Sequence, residues 1–219
     1  MIIASCSTIL ERRHLILEAV NSIRTQVNKV IVHCGYENVH KNFDNVTFIP
    51  HDWKVPDQFK FNVSTEGIDY HLTFDDDILY PKDYVIRHID LQYRLGYVIS
   101  TVHGSIFRKS PITNFFKDRD VYHYKFDIVG REIDLPGTGT LCYQPKKISF
   151  PFDYFEKWNM TDIYVALRCK ELGQKIAMLG RNANWLRDNM KVVGTPDLYS
   201  RFLHNHQEQT DLANKAQWK

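Results

Sequence analysis

The chain has no closely spaced cysteines: Cys6, Cys34, Cys142 and Cys169 are scattered, three in strand-like apolar runs and one in a helix-like run. That spacing excludes a zinc knuckle or a disulfide framework and leaves four reduced core residues. Charge of one sign is also missing. With 28 Lys+Arg against 26 Asp+Glu the net charge is +2, too little for a nucleic-acid stripe or a polybasic membrane anchor. No apolar run reaches membrane-spanning length, and Met1 leads directly into Ile2-Ile3-Ala4-Ser5-Cys6 without the charged start of a signal peptide. A cytoplasmic protein with no membrane span and no nucleic-acid partner is the expectation. Internal repeats, low-complexity tracts and linkers are absent as well, so residues 1–219 read as one domain.

Aromatic rings are abundant, with 13 Phe, 12 Tyr and 4 Trp; flat apolar rings fill cores and also suit sugar faces and nucleobases. The most specific feature is Asp75-Asp76-Asp77, between the apolar run Tyr70–Phe74 and Ile78-Leu79-Tyr80-Pro81. Three like charges at the end of a buried strand repel and need a compensating cation. An acidic turn that caps the following helix is the bland alternative, but one cap needs one aspartate.

Alternating strands and helices fill the first half. Strands are predicted at Ile2–Ser7, Lys29–Cys34, Val46–Ile49, Tyr70–Phe74 and Tyr97–Val102. Thr8-Ile9-Leu10-Glu11 has capping-box spacing and predicts a helix to about Gln26; a second helix runs from near Pro81 to Leu95, before Gly96. Such βαβ units imply an α/β fold with a mostly parallel, mixed central sheet flanked by helices. Later segments predict antiparallel strands at Val121–Phe126 and Thr140–Tyr143, a helix at Asp162–Leu172 closed by Gly173, a last strand at Lys175–Leu179, and a polar helix or tail from Leu198 to Lys215.

Residues two apart on a strand share a face, so Asp75 and Asp77 are expected to project together while Asp76 turns away. In open α/β sheets ligands bind beyond the carboxyl ends of the strands, where this run falls. Hard oxygen ligands without accompanying histidine or thiolate favour Mn²⁺ or Mg²⁺, with open positions for diphosphate oxygens.

The run Leu72-Thr73-Phe74-Asp75-Asp76-Asp77-Ile78-Leu79-Tyr80-Pro81 resembles the DxD motif of metal-dependent, nucleotide-sugar glycosyltransferases of the Rossmann-like GT-A fold. Ser7-Thr8 with Arg12 or Arg13 resembles that family's first nucleotide loop, and Pro56-Asp57-Gln58-Phe59-Lys60-Phe61 the stretch whose lysine faces the donor. Gly137-Thr138-Gly139-Thr140-Leu141 resembles the strand beneath the acceptor, and Thr161-Asp162-Ile163-Tyr164 the acidic segment that carries the base of inverting members. Among small forms of the fold, the chain resembles the glycosyltransferases that large algal (chlorella) viruses encode for capsid glycans. Two departures stand out. The second strand ends His33-Cys34-Gly35-Tyr36-Glu37 without the usual base-reading aspartate, so that role falls to Tyr36, His33 or Asp57. Thr161 replaces the first acid of the base pair, leaving Asp162.

The resemblance implies a UDP-sugar donor held by residues 1–100 and a glycan or glycoprotein acceptor held by residues 101–219. Asp77 and Asp75 would hold Mn²⁺ or Mg²⁺, with His206 as a late third ligand. Ser7, Thr8, Arg12, Arg13, Tyr36, Asp57, Lys60, Asp75 and Asp76 would contact the nucleotide or diphosphate. Gly139 and Trp158 would meet the acceptor, with Asp162 taking its proton; Trp53 and Trp185 are further stacking candidates. Two other readings compete. A haloacid-dehalogenase-like phosphatase also uses Asp-x-Asp after a strand, but carries Thr or Val where Leu79 stands. A calcium-dependent carbohydrate-binding module explains aromatics and aspartates but leaves Lys60 and Asp162 without purpose.

Overall fold

Eight strands form the central sheet of the computed structural model, which describes residues 1–36, 43–51, 55–189 and 206–218. In chain order the elements are β1 (Ile2–Thr8), α1 (Ile16–Ile23), β2 (Lys29–Cys34), β3 (Val46–Pro50), β4 (Tyr70–Phe74), β5 (Ile78–Leu79) and α2 (Tyr84–Leu95). They continue with β6 (Ile99–Thr101), β7 (Gly104–Phe107), β8 (Arg119–Tyr122), β9 (Arg131–Ile133), β10 (Leu135–Pro136), β11 (Thr140–Tyr143), α3 (Thr161–Glu171), β12 (Ile176–Met178), β13 (Arg187–Asp188) and α4 (Gln207–Ala213). The sheet order is β3-β2-β1-β4-β11-β6-β12-β9. β3, β2, β1 and β4 are mutually parallel, β11 runs against both its neighbours, β6 and β12 are parallel, and β9 closes the edge antiparallel. A small sheet, β10-β7-β8, and the pair β13-β5 lie beside it.

The pleat of β11 separates two cores. Leu141 and Tyr143 pack with α3 residues such as Val165 and Cys169 on one face, while Cys142 packs on the other with Val20 of α1 and Tyr84 of α2. Helices therefore cover both faces of a mostly parallel sheet, as the alternating pattern implied. All four cysteines are buried and free. Among the described residues no helix is long and apolar enough to cross a membrane.

Several local expectations fail. Thr8 ends β1 instead of capping a helix; a 3₁₀ turn, Leu10–Arg12, follows, and α1 starts only at Ile16. The Thr8 hydroxyl is committed elsewhere, to Asp76. The strand expected at Val121–Phe126 is β8, shifted to Arg119–Tyr122, and β12 is not the last strand because β13 follows it. Of the expected C-terminal helix, α4 covers Gln207–Ala213; residues 198–205 lie outside the described residues. Gly96 and Gly173, with φ of 74° and 62°, end α2 and α3 in the left-handed region that glycine adopts without strain.

Candidate active site

The aspartate triplet lies at the carboxyl end of β4, next to that of β1, because the two strands are parallel and in register from Ile2–Tyr70 to Ser5–Thr73. Asp75 and Asp77 line a cleft of about 390 Å³ that Asp57, Thr138, Gly139 and Asp162 also line. Asp76, only 3% exposed, turns back into the protein. It accepts from Thr8 Oγ1 at 2.6 Å and from Arg12 Nη1 at 3.0 Å, and the same Nη1 reaches Asp77 Oδ2 at 3.0 Å. Burial pushes the Asp76 carboxyl up from its ordinary value while Arg12 and Thr8 pull it down. Asp77 is raised to about 6, first by burial and then by the charges of Asp75 and Asp76, with Arg12 opposing.

Lys60 belongs to a 3₁₀ turn, Asp57–Phe61, whose Phe59 and Phe61 are buried. Its side chain is 1% exposed, and its ammonium bridges Asp57 Oδ1 at 2.6 Å and Asp75 Oδ1 at 2.7 Å. Burial opposes the charge; Asp57 and Asp75 more than offset it, so the Lys60 pKa lies above the usual lysine value. The lysine expected to face the donor is thus an internal clamp on two carboxylates.

Gly139 is explained by register. The antiparallel pairing of β11 with β4 matches Thr140 to Phe74, and one step further brings Gly139 beside Asp75. A Cβ on Gly139 would fall 2.0 Å from Asp75 Oδ2. The Tyr80 hydroxyl ties the pair together, donating to the Gly139 carbonyl at 2.6 Å and accepting from the Asp75 amide at 2.9 Å.

Across the cleft, Asp162 lies in the first turn of α3. Met160 holds the N-cap position and no side chain caps the helix, so Thr161 and Asp162 are free of that structural duty. Asp162 Oδ1 accepts from the Thr138 amide at 2.8 Å and the Thr138 hydroxyl at 2.6 Å. Burial raises the Asp162 pKa, and the two Thr138 bonds lower it. The Thr161 hydroxyl donates to Asp57 Oδ2 and lies 3.0 Å from the Thr138 hydroxyl.

The remaining expected residues scatter. Ser7 Oγ donates to the Asp57 carbonyl at 3.2 Å. Arg13 is exposed, and the Tyr36 hydroxyl is buried with no partner among the described residues; burial raises its pKa. Trp158 is 61% exposed and is not among the residues that line the cleft. His206 is not gathered with the aspartates: its ring nitrogens meet Asn114 Nδ2 at 2.7 Å and Thr210 Oγ1 at 3.2 Å. Among the described residues no three His, Cys, Asp or Glu side chains cluster to hold a metal. Trp185 donates to Asp83 at 3.0 Å beneath Arg87, while Trp53, His204 and Asn205 lie outside the described residues.

The cleft also holds residues that no motif announced: His103, Arg119, His123, Tyr124, Asn159 and Gln209. Asn159, in the left-handed region at φ 59°, accepts from the Asp57 amide at 3.0 Å. The one local signal for His103 was Gly137, whose missing side chain leaves room for that ring, 2.6 Å from where a Cβ would sit.

No family model and no curated protein sequence matches the chain. Among solved structures it is similar to TarS 1–349 of S. aureus, with a TM-score of 0.53 and 14% identity over 83% of this chain and 58% of that one. It is also similar to A197 from STIV, with a TM-score of 0.44 and 10% identity over 85% of this chain and 83% of that one. The chain thus spans just over half of the TarS fragment. At such identity the likeness is one of fold, and the fold is GT-A-like: a large, mostly parallel sheet between helices.

Proposed function

We propose that the chain is a metal-dependent glycosyltransferase that moves a hexose from a UDP-sugar to a hydroxyl of a glycan or glycoprotein, inverting the anomeric centre with Asp162 as base. The observation that carries this reading is one cleft, in a GT-A-like fold, lined by Asp75 and Asp77 at the end of β4 and by Asp162 at the start of α3. Residues 1–100 would serve the donor and residues 101–219 the acceptor.

Asp75 and Asp77 fit a Mn²⁺ or Mg²⁺ ion shared with substrate. One oxygen of each is engaged by a protein cation, Asp75 Oδ1 by Lys60 and Asp77 Oδ2 by Arg12, which leaves Asp75 Oδ2 and Asp77 Oδ1 for an incoming ion. Two carboxylates suit an ion that takes its other oxygens from a diphosphate and water. When bound, such an ion supplies Lewis-acid charge at the departing diphosphate.

The chain's own residues do the rest. Arg12 adds fixed positive charge beside the triplet, where charge builds on the leaving group. Ser7, Thr8, Arg13, Tyr36 and Asp57 would contact the nucleotide or its diphosphate. Thr138 fixes Asp162 through Oδ1, so that the carboxylate meets the acceptor hydroxyl in one orientation. A pKa raised by burial suits a general base, a role worth about a hundred- to ten-thousand-fold.

Calorimetric titration with UDP tests the reading. Binding should tighten strongly with Mn²⁺, and Asp77→Ala should remove that dependence; equal affinity in a chelator would overturn it. Asp162→Asn should keep UDP affinity and lose transfer.

A further inference from the structure

Three oxygen-to-oxygen contacts join two carboxylates inside the cleft: Asp162 Oδ1 to Thr138 Oγ1 at 2.6 Å, Thr138 Oγ1 to Thr161 Oγ1 at 3.0 Å, and Thr161 Oγ1 to Asp57 Oδ2. Each contact needs one hydrogen to be a bond. With both carboxylates ionised the chain holds only two hydrogens, one per threonine, so one contact is left without a proton. A single added proton completes all three. We infer that Thr138, Thr161 and Asp57 form a hydrogen-bonded relay that stabilises the proton taken up by Asp162, with the Asp57 carboxylate as its accepting end.

The inference rests on the proposed transfer reaction. In that step the acceptor O–H bond breaks and its proton goes to the Asp162 carboxylate. The electron pair stays on the acceptor oxygen, which bonds the sugar carbon as the bond to the diphosphate breaks and its pair leaves with the diphosphate. With the proton on Oδ1, Asp162 donates a hydrogen bond to Thr138, Thr138 to Thr161, and Thr161 to Asp57, and no further proton is transferred. Only the Thr138 hydroxyl has to rotate, since Thr161 already donates to Asp57.

The surroundings hold the relay in place. The Thr73 hydroxyl donates to the Thr138 carbonyl, and the Asn159 side chain accepts from the Asp57 amide. Thr138 and Thr161 are each only 3% exposed. The charged groups that face Asp162 are Asp57, which favours its protonated form, and Lys60, which opposes it. Lys60 in turn is bonded to Asp57 Oδ1, leaving Oδ2 to the relay. Asp57, Thr161 and Thr138 are positioning residues here; only Asp162 meets the acceptor.

Thr161→Val removes one hydroxyl at nearly constant volume, and Thr161→Ser restores it. The valine variant should bind UDP with Mn²⁺ within twofold of the parent chain, lose at least tenfold in kcat, and move the acidic limb of its kcat–pH profile at least half a unit lower. Serine should recover kcat to within threefold. Unchanged kcat and limb in the valine variant, or no recovery with serine, would overturn the relay. A substrate-free arm separates this from the proposed function. Carboxyl NMR titration of Asp162 in the full chain should show a lower pKa in Thr161→Val than in the parent, and an unmoved Asp162 refutes the relay whether or not sugar is transferred. Absence of metal-dependent UDP binding in the parent chain would refute the proposed function alone.

Discussion

Gly139 lies so close to Asp75 that any side chain there would displace the carboxylate: a Cβ would fall 2.0 Å from Oδ2 and 2.5 Å from Cγ. The backbone just before β11 thus shapes the position of a side chain just after β4. Asp75 is held from four sides, by Gly139, by Lys60 on Oδ1, by its own strand, and by Tyr80 on its amide. Gly139→Ala is therefore expected to weaken Mn²⁺-dependent UDP binding at least tenfold, with only a few degrees lost in Tm because the short Asp75 side chain can swing into the cleft. Calorimetry and thermal unfolding measure both effects. Parent-like affinity would show that the position of Asp75 is irrelevant to the metal site.

Lys60→Met tests the internal clamp. Removing one partner of a buried ion pair commonly costs about 3–5 kcal/mol. Here Asp57 and Asp75 are 23% and 38% exposed and keep access to water, so a loss of about 2–3 kcal/mol is expected after solvent screening. Lys60→Arg should not recover it fully, since a planar fork does not replace a compact ammonium between two carboxylates. Urea unfolding at neutral pH reads the loss, and a change below about 0.5 kcal/mol would mean that the bridge contributes little.

What the sequence displays and what it conceals follow from physics. Lys29–Cys34 and Tyr70–Phe74 could be read to the residue because buried parallel strands are continuous apolar runs bounded by polar segments. β5, β10 and β13 are two residues long and β7 four, too short for any periodicity to register. The aspartate triplet stood out because charge after an apolar run is costly without a purpose. Lys60 did not announce its burial: the resemblance points it at the donor, and only the fold brings Asp75 to it. Thr8 was misread for the complementary reason. Its spacing to Glu11 satisfies a capping box, yet a long-range bond to Asp76 takes the hydroxyl first. Thr138 and Thr161 fall inside the segments that resemble the acceptor strand and the base segment, yet the resemblance gives neither hydroxyl a role, and their meaning lies in mutual distance.

Metal binding should depend on pH through Asp77. Its pKa is raised from 3.8 to about 6, chiefly by burial, so the ionised form is disfavoured in the folded chain and its penalty grows as pH rises from about 4 to 6. A cation needs the ionised form and must displace the proton below about pH 6. The upward shift in Tm caused by Mn²⁺ should therefore grow from pH 5 to pH 7, and Asp77→Asn should abolish the growth. A shift independent of pH would show that Asp77 is not a ligand.

Acid sensitivity of the fold should come from His71, with the opposite sign. The ring is fully buried in β4, with Nε2 2.6 Å from Ser5 Oγ and Nδ1 2.6 Å from Tyr143 Oη. Burial lowers its pKa from 6.5 to about 3. The unfolded chain thus takes up a proton near 6.5 that the folded chain refuses, so the stability due to this group is complete above 6.5 and is lost as pH falls toward 3. The slope is about 1.4 kcal/mol per pH unit for one such histidine. His88, also fully buried and lowered to about 3, adds a second. His71→Gln keeps a hydrogen-bonding side chain without the titration. Whatever it does to stability at pH 7, the slope of unfolding free energy between pH 4.5 and 6 should fall by about 1.4 kcal/mol per unit relative to the parent chain. Parallel slopes in urea titrations across that range would mean that His71 already carries its proton in the folded state, and that the Ser5 and Tyr143 oxygens both accept from it.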